Sequence, residues 1–371
     1  MKKILFTLII GAFGIQSYSQ SDIKLEDLQM PSSPAFVLLD VAPSSIERPG
    51  TIKAFTTSIV NSITENNGIP ENYAVDFAPF WFFKHKNLSA FKYWGFKKSD
   101  GKYRETPFSQ ARFGNISAAS VRSQIPTDTI KADKYVNNVA IGFRTTLIQI
   151  RGVKAIDDLL NLNALYKERV SELSKNPLIP NHELANIIAA DEELLKIVTE
   201  IQSVLNRKPV FAIDIAASGA WSFHNNDFKS IESNRVGAWL TFSYSKSLNK
   251  KDKLIKDNYL NIYATTRFIN DNNYLNEEAK ITSATMSDIG GKLEFELGRF
   301  AISYEYLARF NLSESKQQTY RSSGTISYRA SDQFLVTAAF GKNFGSFNNL
   351  ISQISINWGL NGKNQGVNMN E

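Results

Sequence analysis

Residues 209 to 223 alternate between two kinds of side chain over a long stretch. Phe211, Ile213 and Ile215 stand on one parity, Ala212 and Asp214 stand on the other, and the alternation continues to the end of the stretch. Successive side chains of a strand point to opposite faces, so this pattern predicts a strand with one oily face and one small, polar face. It is longer than the roughly 5 or 6 residues that are usual for strands of soluble sheets.

The same period of two recurs along the chain and predicts eleven strands in all. They are assigned to residues 73–83, 113–125, 139–147, 209–223, 235–246, 258–269, 289–298, 300–310, 318–329, 333–342 and 349–359. Such lengths approach the roughly 9 to 11 residues that a tilted transmembrane strand needs. Tyrosine, tryptophan and phenylalanine stand near the strand ends, as in interfacial girdles. The pattern predicts an antiparallel transmembrane β-barrel over residues 71–360, and the longer strands favour it over a soluble sandwich.

Bacterial single-chain barrels have an even number of strands, so we predict a twelfth. Two segments are candidates for it, Ser89 to Lys97 and Phe36 to Val41. Residues 20–70 otherwise lack sustained alternation and are punctuated by prolines, which predicts an irregular N-terminal segment. Within that segment, apolar residues at helical spacing predict a short amphipathic helix from Thr51 to Ile63.

The two ends of the chain lie outside the predicted barrel. Lys2 and Lys3, an apolar run from Ile4 to Ile15, and small residues before Gln20 predict a signal peptide over residues 1–19. Residues 361–371 form a polar-biased C-terminal tail. The chain contains no cysteine, which excludes disulfides, thiolate metal sites and a lipidated cysteine. No later apolar run is long enough for a spanning helix, so a membrane location requires a closed barrel.

One region, residues 152–207, changes to a helical period and predicts a helical hairpin inserted within the barrel. Pro177 and Pro180 separate its halves, and Asn181 is the predicted N-cap of the second helix. Its apolar positions fit a seam between the two helices; the alternative is a stripe that docks onto a partner protein or plugs the barrel mouth. Strand parity assigns the hairpin to the periplasmic side, with the short turn at Gly298 and Arg299.

The side chains that face away from the oily sides of the predicted strands include charges of both signs. Lipid-facing lysine or arginine at mid-depth costs about 2 to 4 kcal/mol, so these residues are predicted to face the lumen. The lumen-facing candidates are Asp76, Arg144, Asp214, Arg235, Arg267, Lys292, Glu294, Glu296, Glu305, Arg309, Arg321 and Arg329. Two interpretations remain open: the charges line an aqueous pore, or they form a salt-bridged interior that fills a narrow barrel. In either case Asp214 is expected to face a basic partner or water.

Enzymatic and nucleic-acid functions have little support in the sequence. The chain has three histidines: His85 at a predicted strand end, His182 beside a predicted helix start, and His224 in a predicted turn. None has a serine or acidic partner at catalytic spacing, and no metal-ligand spacing occurs. We therefore predict no catalytic residues, no metal and no cofactor. The formal net charge of +6 is dispersed, with one lysine cluster from Lys250 to Lys256, and it indicates no nucleic-acid partner.

The signal peptide, the aromatic-flanked alternating strands and the final strand Leu350 to Leu360 resemble Gram-negative outer-membrane β-barrel proteins in architecture. The chain departs from that pattern because it continues past its aromatic strand. The resemblance implies an outer-membrane location, contact with outer-membrane lipids, and a channel or transporter for small solutes. The alternative is a non-catalytic scaffold that anchors an envelope protein assembly through the helical hairpin. An envelope enzyme ranks third.

Overall fold

The fold was analysed in a computed structural model of the chain. The structure describes residues 23–24, 33–46, 55–62, 72–83, 88–100, 102–124, 135–180, 183–224, 228–248, 258–275, 281–312, 316–331, 334–345, 350–360 and 366–367. The predicted signal peptide lies outside these residues.

Strands dominate the described chain. In chain order they are β1 (Ile23–Lys24), β2 (Phe55–Ser62), β3 (Asn72–Phe77), β4 (Phe96–Ser99), β5 (Lys102–Glu105), β6 (Asn115–Gln124), β7 (Tyr135–Ile150), β8 (Phe211–His224), β9 (Glu232–Ser247), β10 (Tyr259–Leu275), β11 (Ile281–Leu297), β12 (Phe300–Asn311), β13 (Lys316–Ser331), β14 (Phe334–Lys342), β15 (Leu350–Leu360) and β16 (Gly366–Val367). The α-helices are α1 (Pro34–Leu38), α2 (Ala90–Trp94), α3 (Val153–Lys175), α4 (Leu184–Ala190) and α5 (Glu192–Leu205). The 3₁₀ helices are η1 (Pro79–Phe82), η2 (Pro107–Phe113) and η3 (Phe228–Ser230).

Twelve strands form one closed antiparallel barrel, in the order β2, β3 and β6 through β15. Each strand pairs with the next barrel strand along the chain, and the barrel closes where Leu360 pairs with Phe55 and Gln353 pairs with Ser62. Closure leaves no strand edge unpaired, which is the condition for satisfying every backbone group in lipid. The predicted antiparallel barrel of about twelve strands is confirmed.

The twelfth strand is β2, where we predicted a helix from Thr51 to Ile63, so that prediction is wrong. Its segment contains the β-branched residues Thr56, Thr57, Ile59 and Val60, which favour a strand. Pairing with β3 and β15 supplies the ladder hydrogen bonds that a sequence pattern does not reveal. The barrel therefore begins at Phe55, earlier than the predicted boundary at residue 71.

Neither segment proposed as the twelfth strand belongs to the barrel. Phe36 to Val41 overlaps helix α1, which begins at Pro34, a residue suited to the first helical turn. Ser89 to Lys97 contains α2, with Ser89 as its N-cap and Gly95 in the left-handed conformation at its end. The first predicted strand also ends early, at Phe77, because Pro79 cannot donate to the ladder and begins η1 instead.

The first barrel residue, Phe55, and the last, Leu360, lie at the same opening of the barrel, here called the terminal end. The two-residue turn at Gly298 and Arg299 lies at this end, as does the turn between β13 and β14. Two long insertions, residues 78–114 and 151–210, also leave the barrel here. In addition, β1 pairs with β16, so part of the predicted tail forms a short sheet.

The two insertions share one hydrophobic core, and their described residues are called the mouth domain. This core comprises Ala78, Leu88, Ala90, Phe91, Tyr93, Trp94, Phe96, Phe113, Ala155, Leu159, Ile197, Ile201, Val204 and Leu205. The predicted hairpin is three helices, because Asp191 caps a new helix by accepting from the Leu194 N–H at 2.8 Å. Its predicted N-cap, Asn181, lies outside the described residues.

Among the described residues, no helix combines the length and apolarity that a membrane-spanning helix needs.

Candidate functional site

The lumen of the barrel is occupied by residues 33–46, called here the lumen segment. Its helix α1 is fully buried, and Asp40 follows it with a φ of 57°, a left-handed conformation that aspartate tolerates better than most residues. The turn is closed where the N–H of Val41 donates to the carbonyl of Phe36 at 3.3 Å. Helix α1 therefore ends at a left-handed turn inside the barrel.

One side of the lumen segment packs through apolar contacts. Phe36, Val37 and Leu38 belong to a buried cluster with wall residues such as Ala216 and Trp239. The small alanines on the inner face of β7 and β8 leave room for the helix, which contacts β6 through β9. The alternation of oily and small residues that begins at Phe211 thus leaves its small face available for this packing.

Two wall glycines allow the closest approaches to the lumen segment. A Cβ at Gly142 would stand 2.7 Å from the Cβ of Pro34, and a Cβ at Gly237 would stand 2.9 Å from Leu38 Cδ1. Real Cβ atoms do not approach other heavy atoms that closely, so a larger residue would displace the segment. The glycines are needed for space at the contact.

The charged side of the segment centres on Asp40. Its carboxylate accepts from Arg235 at 2.8 Å, from Arg267 at 3.1 Å and from Arg309 at 3.0 Å. Asp288 accepts from Arg267 and Arg309, each at 2.8 Å. A third carboxylate, contributed by Asp271, accepts from Arg235 Nε at 3.0 Å. Three arginines therefore meet three carboxylates.

The arginines also hold the backbone of the segment. Arg235 donates to the carbonyl of Leu38 at 2.8 Å, and Arg267 donates to the carbonyl of Val37 at 3.1 Å. The ring of Phe344 covers the cluster, with its centroid 3.6 Å from the Arg309 guanidinium carbon. A buried arginine that bonds a carboxylate and a carbonyl satisfies several of its donors at once.

A second anchor is formed by Glu305 and Arg321. Glu305 accepts from Arg321 Nε at 2.8 Å, from the Ser44 hydroxyl at 2.7 Å and from the Ser45 N–H at 3.0 Å. Arg321 also donates to the carbonyls of Ala42 and Pro43, at 2.5 and 3.2 Å. Lys292 donates to Ser44 at 3.0 Å. A second anchor therefore attaches the segment to the wall, and it reaches Asp40 as well, because Arg321 donates to the Asp40 carbonyl at 3.4 Å.

A third charged group lies on the inner faces of β3, β7 and β8. Asp76, Arg144 and Asp214 are all buried there, and the Arg144 charge acts on both carboxylates. Asp214 also accepts from the Thr146 hydroxyl at 2.5 Å. Asp214 therefore faces inward, with a basic residue in its surroundings.

The remaining lumen candidates lie closer to the terminal end. Glu294 accepts from Asn261 at 3.1 Å and from Tyr263 at 3.3 Å. Glu296 pairs with Lys208 of the mouth domain at 2.6 Å. Arg329 is partly buried on the inward parity of β13, near the turn to β14. The structure gathers the other candidates into the two anchors and the third charged group.

Sequence reasoning missed three of the carboxylates that matter most. Asp271 and Asp288 continue the inward parity of Arg267 and Lys292, but the predicted strands ended or began two residues or fewer away from them. Extending each alternation would have found both. Asp40 has no periodic signal, since it stands in an irregular segment and meets its partners only through the tertiary fold.

A cavity of about 50 Å³ remains beside the lumen segment. On one side it is lined by the segment, including Phe36 and Ser44, and Lys292 reaches it from β11. The wall opposite the segment carries mainly hydroxyl and amide side chains, from Ser58, Thr325, Ser327, Thr337, Ser355 and Asn357. The hydroxyls of Ser327 and Thr337 are 3.0 Å apart. The strands β13, β14, β15 and β2 thus present a polar wall to the lumen.

The structure describes one of the three histidines of the chain. His85 and His182 lie outside the described residues, and His224 is the last residue of β8. Within the described parts of the chain, no group of three or more histidine, cysteine, aspartate or glutamate side chains is arranged to hold a metal ion.

The outer face of the long strands is mainly apolar. Exposed side chains on it include Phe143, Phe242, Phe268, Ile289, Phe295, Ile302, Tyr304, Ile326, Phe340, Ile356 and Trp358. An oily exterior around a charged, buried interior inverts the arrangement of a soluble protein. The fold therefore has the architecture of outer-membrane β-barrel proteins, and the predicted resemblance is confirmed at that level.

Several solved barrels are similar in outline. The KdgM porin in complex with disordered oligogalacturonate has 8% identity, a TM-score of 0.34, and coverage of 83% of this chain and 98% of that one. The NanC porin has 8% identity, a TM-score of 0.33, and coverage of 82% and 95%. OmpF of Salmonella typhi has 6% identity, a TM-score of 0.24, and coverage of 82% and 96%. No protein-family model and no curated protein matches the sequence. Similarity this distant carries no argument about function.

Proposed function

We propose that this protein is an outer-membrane β-barrel that admits small polar solutes, and that the lumen segment closes it in the conformation described above. The terminal end, with the mouth domain, faces the periplasm in this proposal. The function is transport without catalysis, and the gate is a part of the chain itself.

The outer face supports the membrane location. Strands β7 through β13 have 12 to 17 residues each, which exceeds the roughly 9 to 11 that a tilted strand needs to cross a bilayer. Their outward side chains are mainly apolar, whereas inward charges are buried and paired. In water this apolar outer face would be exposed at a cost in free energy, whereas lipid would cover it. The two-residue turn at Gly298 fits the short turns of the periplasmic end.

The observation that carries the transport proposal is the asymmetry of the lumen. The lumen segment packs tightly on the side of β6 to β9, is ion-paired to β9, β10 and β12 through Asp40, and is hydrogen-bonded to β11 and β13. Against β14, β15 and β2 it leaves the cavity and its hydroxyl-lined wall. A barrel that only needed a solid interior would gain from apolar packing there too. A polar wall without charge fits the passage of water and neutral polar solutes.

Single cysteines test this passage cleanly because the chain has no native cysteine. Ser355→Cys places a thiol on the polar wall, and Ile354→Cys places one on the outer face of the same strand. Conductance is measured in planar bilayers before and after a charged methanethiosulfonate reagent is added. We expect reagent to reduce the current of Ser355→Cys and to leave Ile354→Cys unchanged.

A release variant shows whether the lumen segment is the gate. Residues 33–46 are replaced by a glycine–serine linker of equal length, and folding is checked by the heat-dependent migration typical of barrels. Conductance that rises well above that of the native chain supports the proposal. A folded release variant with no conductance above background would contradict it.

The helices of the mouth domain favour a second candidate, a scaffold that binds an envelope protein. Exposed leucines here are Leu165 on α3, Leu195 on α5, and Leu178 in the turn after α3, which is 87% exposed. Changing the three leucines to serine should remove a partner that crosslinks to the native protein in membranes. The exposed charged residues Lys167, Glu168 and Glu172 serve as matched control positions. Crosslinking that is identical for both sets would rule out this surface.

A further inference from the structure

We propose that the 3₁₀ helices η1 and η2 form a lipid-binding rim on the outside of the barrel. Their exposed phenylalanines would lie among the phospholipid acyl chains near the headgroups of the leaflet at the terminal end. The inference rests on the membrane location proposed above. It assigns a function to a part of the mouth domain that the transport proposal leaves unused.

Two contacts place η1 and η2 against the outer face of the wall. Phe77 points outward at the end of β3, and the ring of Phe82 lies 4.5 Å from it, centroid to centroid. Thr145 of β7 pairs with Ile215 of β8, and both stand on the outward parity. Thr145 is nevertheless buried, and its hydroxyl donates to the carbonyl of Ala111 in η2 at 2.8 Å. The two helices therefore cover surface that lipid would otherwise contact.

The pairing register of the wall strands shows how far along the barrel η1 and η2 lie. Phe77 pairs with Ile116, Ile116 pairs with Phe143, and Phe143 pairs with Ala217. From this level β7 continues to Ile150 and β8 begins at Phe211, but β3 ends and β6 extends only one residue further toward the terminal end, to Asn115. The wall is short at β3 and β6, and η1 and η2 lie beside the longer strands at that level. Their depth is that of the outer apolar face.

The outward side of this rim is aromatic. Phe82, Phe83 and Phe108 are 57%, 65% and 68% exposed, although phenylalanine is commonly buried. Arg112 stands among aromatic rings, with its guanidinium carbon 4.6 Å from the Phe113 centroid and 5.7 Å from that of Phe80. Aromatic rings beside a cation are typical of the membrane interface, where rings contact acyl chains and cations contact phosphates. Continuity with the outer apolar face makes lipid the occupant that fits best.

Spin labelling measures the surroundings of these positions directly. Phe83→Cys and Phe108→Cys each provide a single thiol for a nitroxide, because the chain has no cysteine. Ile302→Cys, on the outer face of β12, is the lipid reference, and Leu178→Cys, in the turn after α3 of the mouth domain, is the water reference. Each full-length variant is reconstituted in vesicles of phosphatidylethanolamine and phosphatidylglycerol. Collision with oxygen reports lipid, and collision with a water-soluble nickel chelate reports water.

We expect the ratio of oxygen to nickel accessibility at both phenylalanine positions to exceed that at Leu178 severalfold and to approach that at Ile302. If both phenylalanine positions match Leu178 while Ile302 remains lipid-like, the rim does not bind lipid and the inference is overturned. An aqueous surface would give that result, whereas a protein-covered surface would lower both collision rates and would also overturn the inference. If Ile302 itself is water-like, the membrane location fails, and with it the transport proposal.

Discussion

Asp40 Oδ2 lies 3.0 Å from Arg309 Nη1, which joins a segment that precedes the barrel to a strand 269 residues later in the chain. The same carboxylate bonds two further arginines on β9 and β10. All four side chains are largely withdrawn from water. Removing one partner of such a buried group leaves the others uncompensated, so the contact holds the lumen segment in place.

Asp40→Asn should therefore loosen the segment while keeping the shape of the side chain. Loss of one partner of a buried ion pair costs about 3 to 5 kcal/mol, which corresponds to at least about a hundredfold shift toward the open form. The open fraction in single-channel records measures this shift. Asp157→Asn, on the exposed surface of α3, is the control and should behave like the native protein. An open fraction unchanged by Asp40→Asn would show that the ion pairs do not hold the gate.

The close approach at Gly142 gives a second prediction that involves no charge. An alanine Cβ there would meet Pro34 and the Ser117 hydroxyl, each at 2.7 Å, so Gly142→Ala should displace α1 at a cost of about 1 to 3 kcal/mol. Conductance should rise, and thermal stability should fall. Gly324→Ala is the matched control, because its nearest neighbour would be the Phe340 carbonyl at 3.8 Å. Equal behaviour of the two variants would contradict tight packing of α1 on the wall.

The barrel could be predicted from the sequence because its signal is local and repeated. An oily parity opposite a small or charged one determines both the strand and its lipid-facing side, so Phe242 and Arg267 could be assigned to opposite faces from the sequence alone. Strand ends carry less information, since pairing with a neighbour extends a strand past the point where alternation fades. The early ends assigned to β10 and β11 are the reason that Asp271 and Asp288 were missed.

The content of the lumen could not be predicted in the same way. Residues 33–46 show no period, and their ligands come from β9 through β13, which no local pattern brings to Asp40. Of the two interpretations of the charges left open by the sequence, the geometry supports the paired interior for both anchors. A water path along the polar wall near Ser355 is the proposal that the experiments test.

Acid should weaken the start of α5 in the mouth domain. A hydrogen bond from Arg169, and then the N–H of Leu194, lower the pKa of Asp191 below its ordinary value of 3.8. A carboxyl with a lowered pKa stabilises the fold above its ordinary value, and that contribution is lost as the pH falls through the lowered pKa. Amides at the start of α5 should therefore keep their hydrogen-exchange protection at about neutral pH and lose it only in strong acid.

Asp191→Ala should cause the same loss of protection at neutral pH, because it removes the cap outright. Hydrogen exchange, corrected for the intrinsic effect of pH, measures residues 192–205 in both experiments. Glu168→Ala, on the exposed face of α3, is the control for a lost carboxylate. Early loss of protection near pH 6 in the native protein would contradict the lowered pKa.

The second anchor of the lumen segment can be weakened without removing its charge. Arg321 donates through Nε to Glu305 and through Nη2 to two carbonyls of the segment, a pattern that lysine cannot reproduce because its ammonium is a single point. Arg321→Lys should therefore raise the open fraction, and Arg329→Lys, nearer the terminal end of the same strand, should have a smaller effect. Equal effects would indicate that any change of arginine on β13 disturbs the barrel.

Combining Asp40→Asn with Arg321→Lys then shows how the segment moves. If the segment leaves as one unit, one opening event breaks both anchors, so their effects on the free energy of opening should roughly add, and every variant should show the same open current level. If the two anchors release independently, each opening part of the lumen, each single variant should show a partly open current level of its own. The turn at Asp40 connects the anchors within a few residues, so we expect the first result. Single-channel records of the two single variants and the double variant measure both quantities, and partly open levels specific to one variant would contradict a one-piece gate.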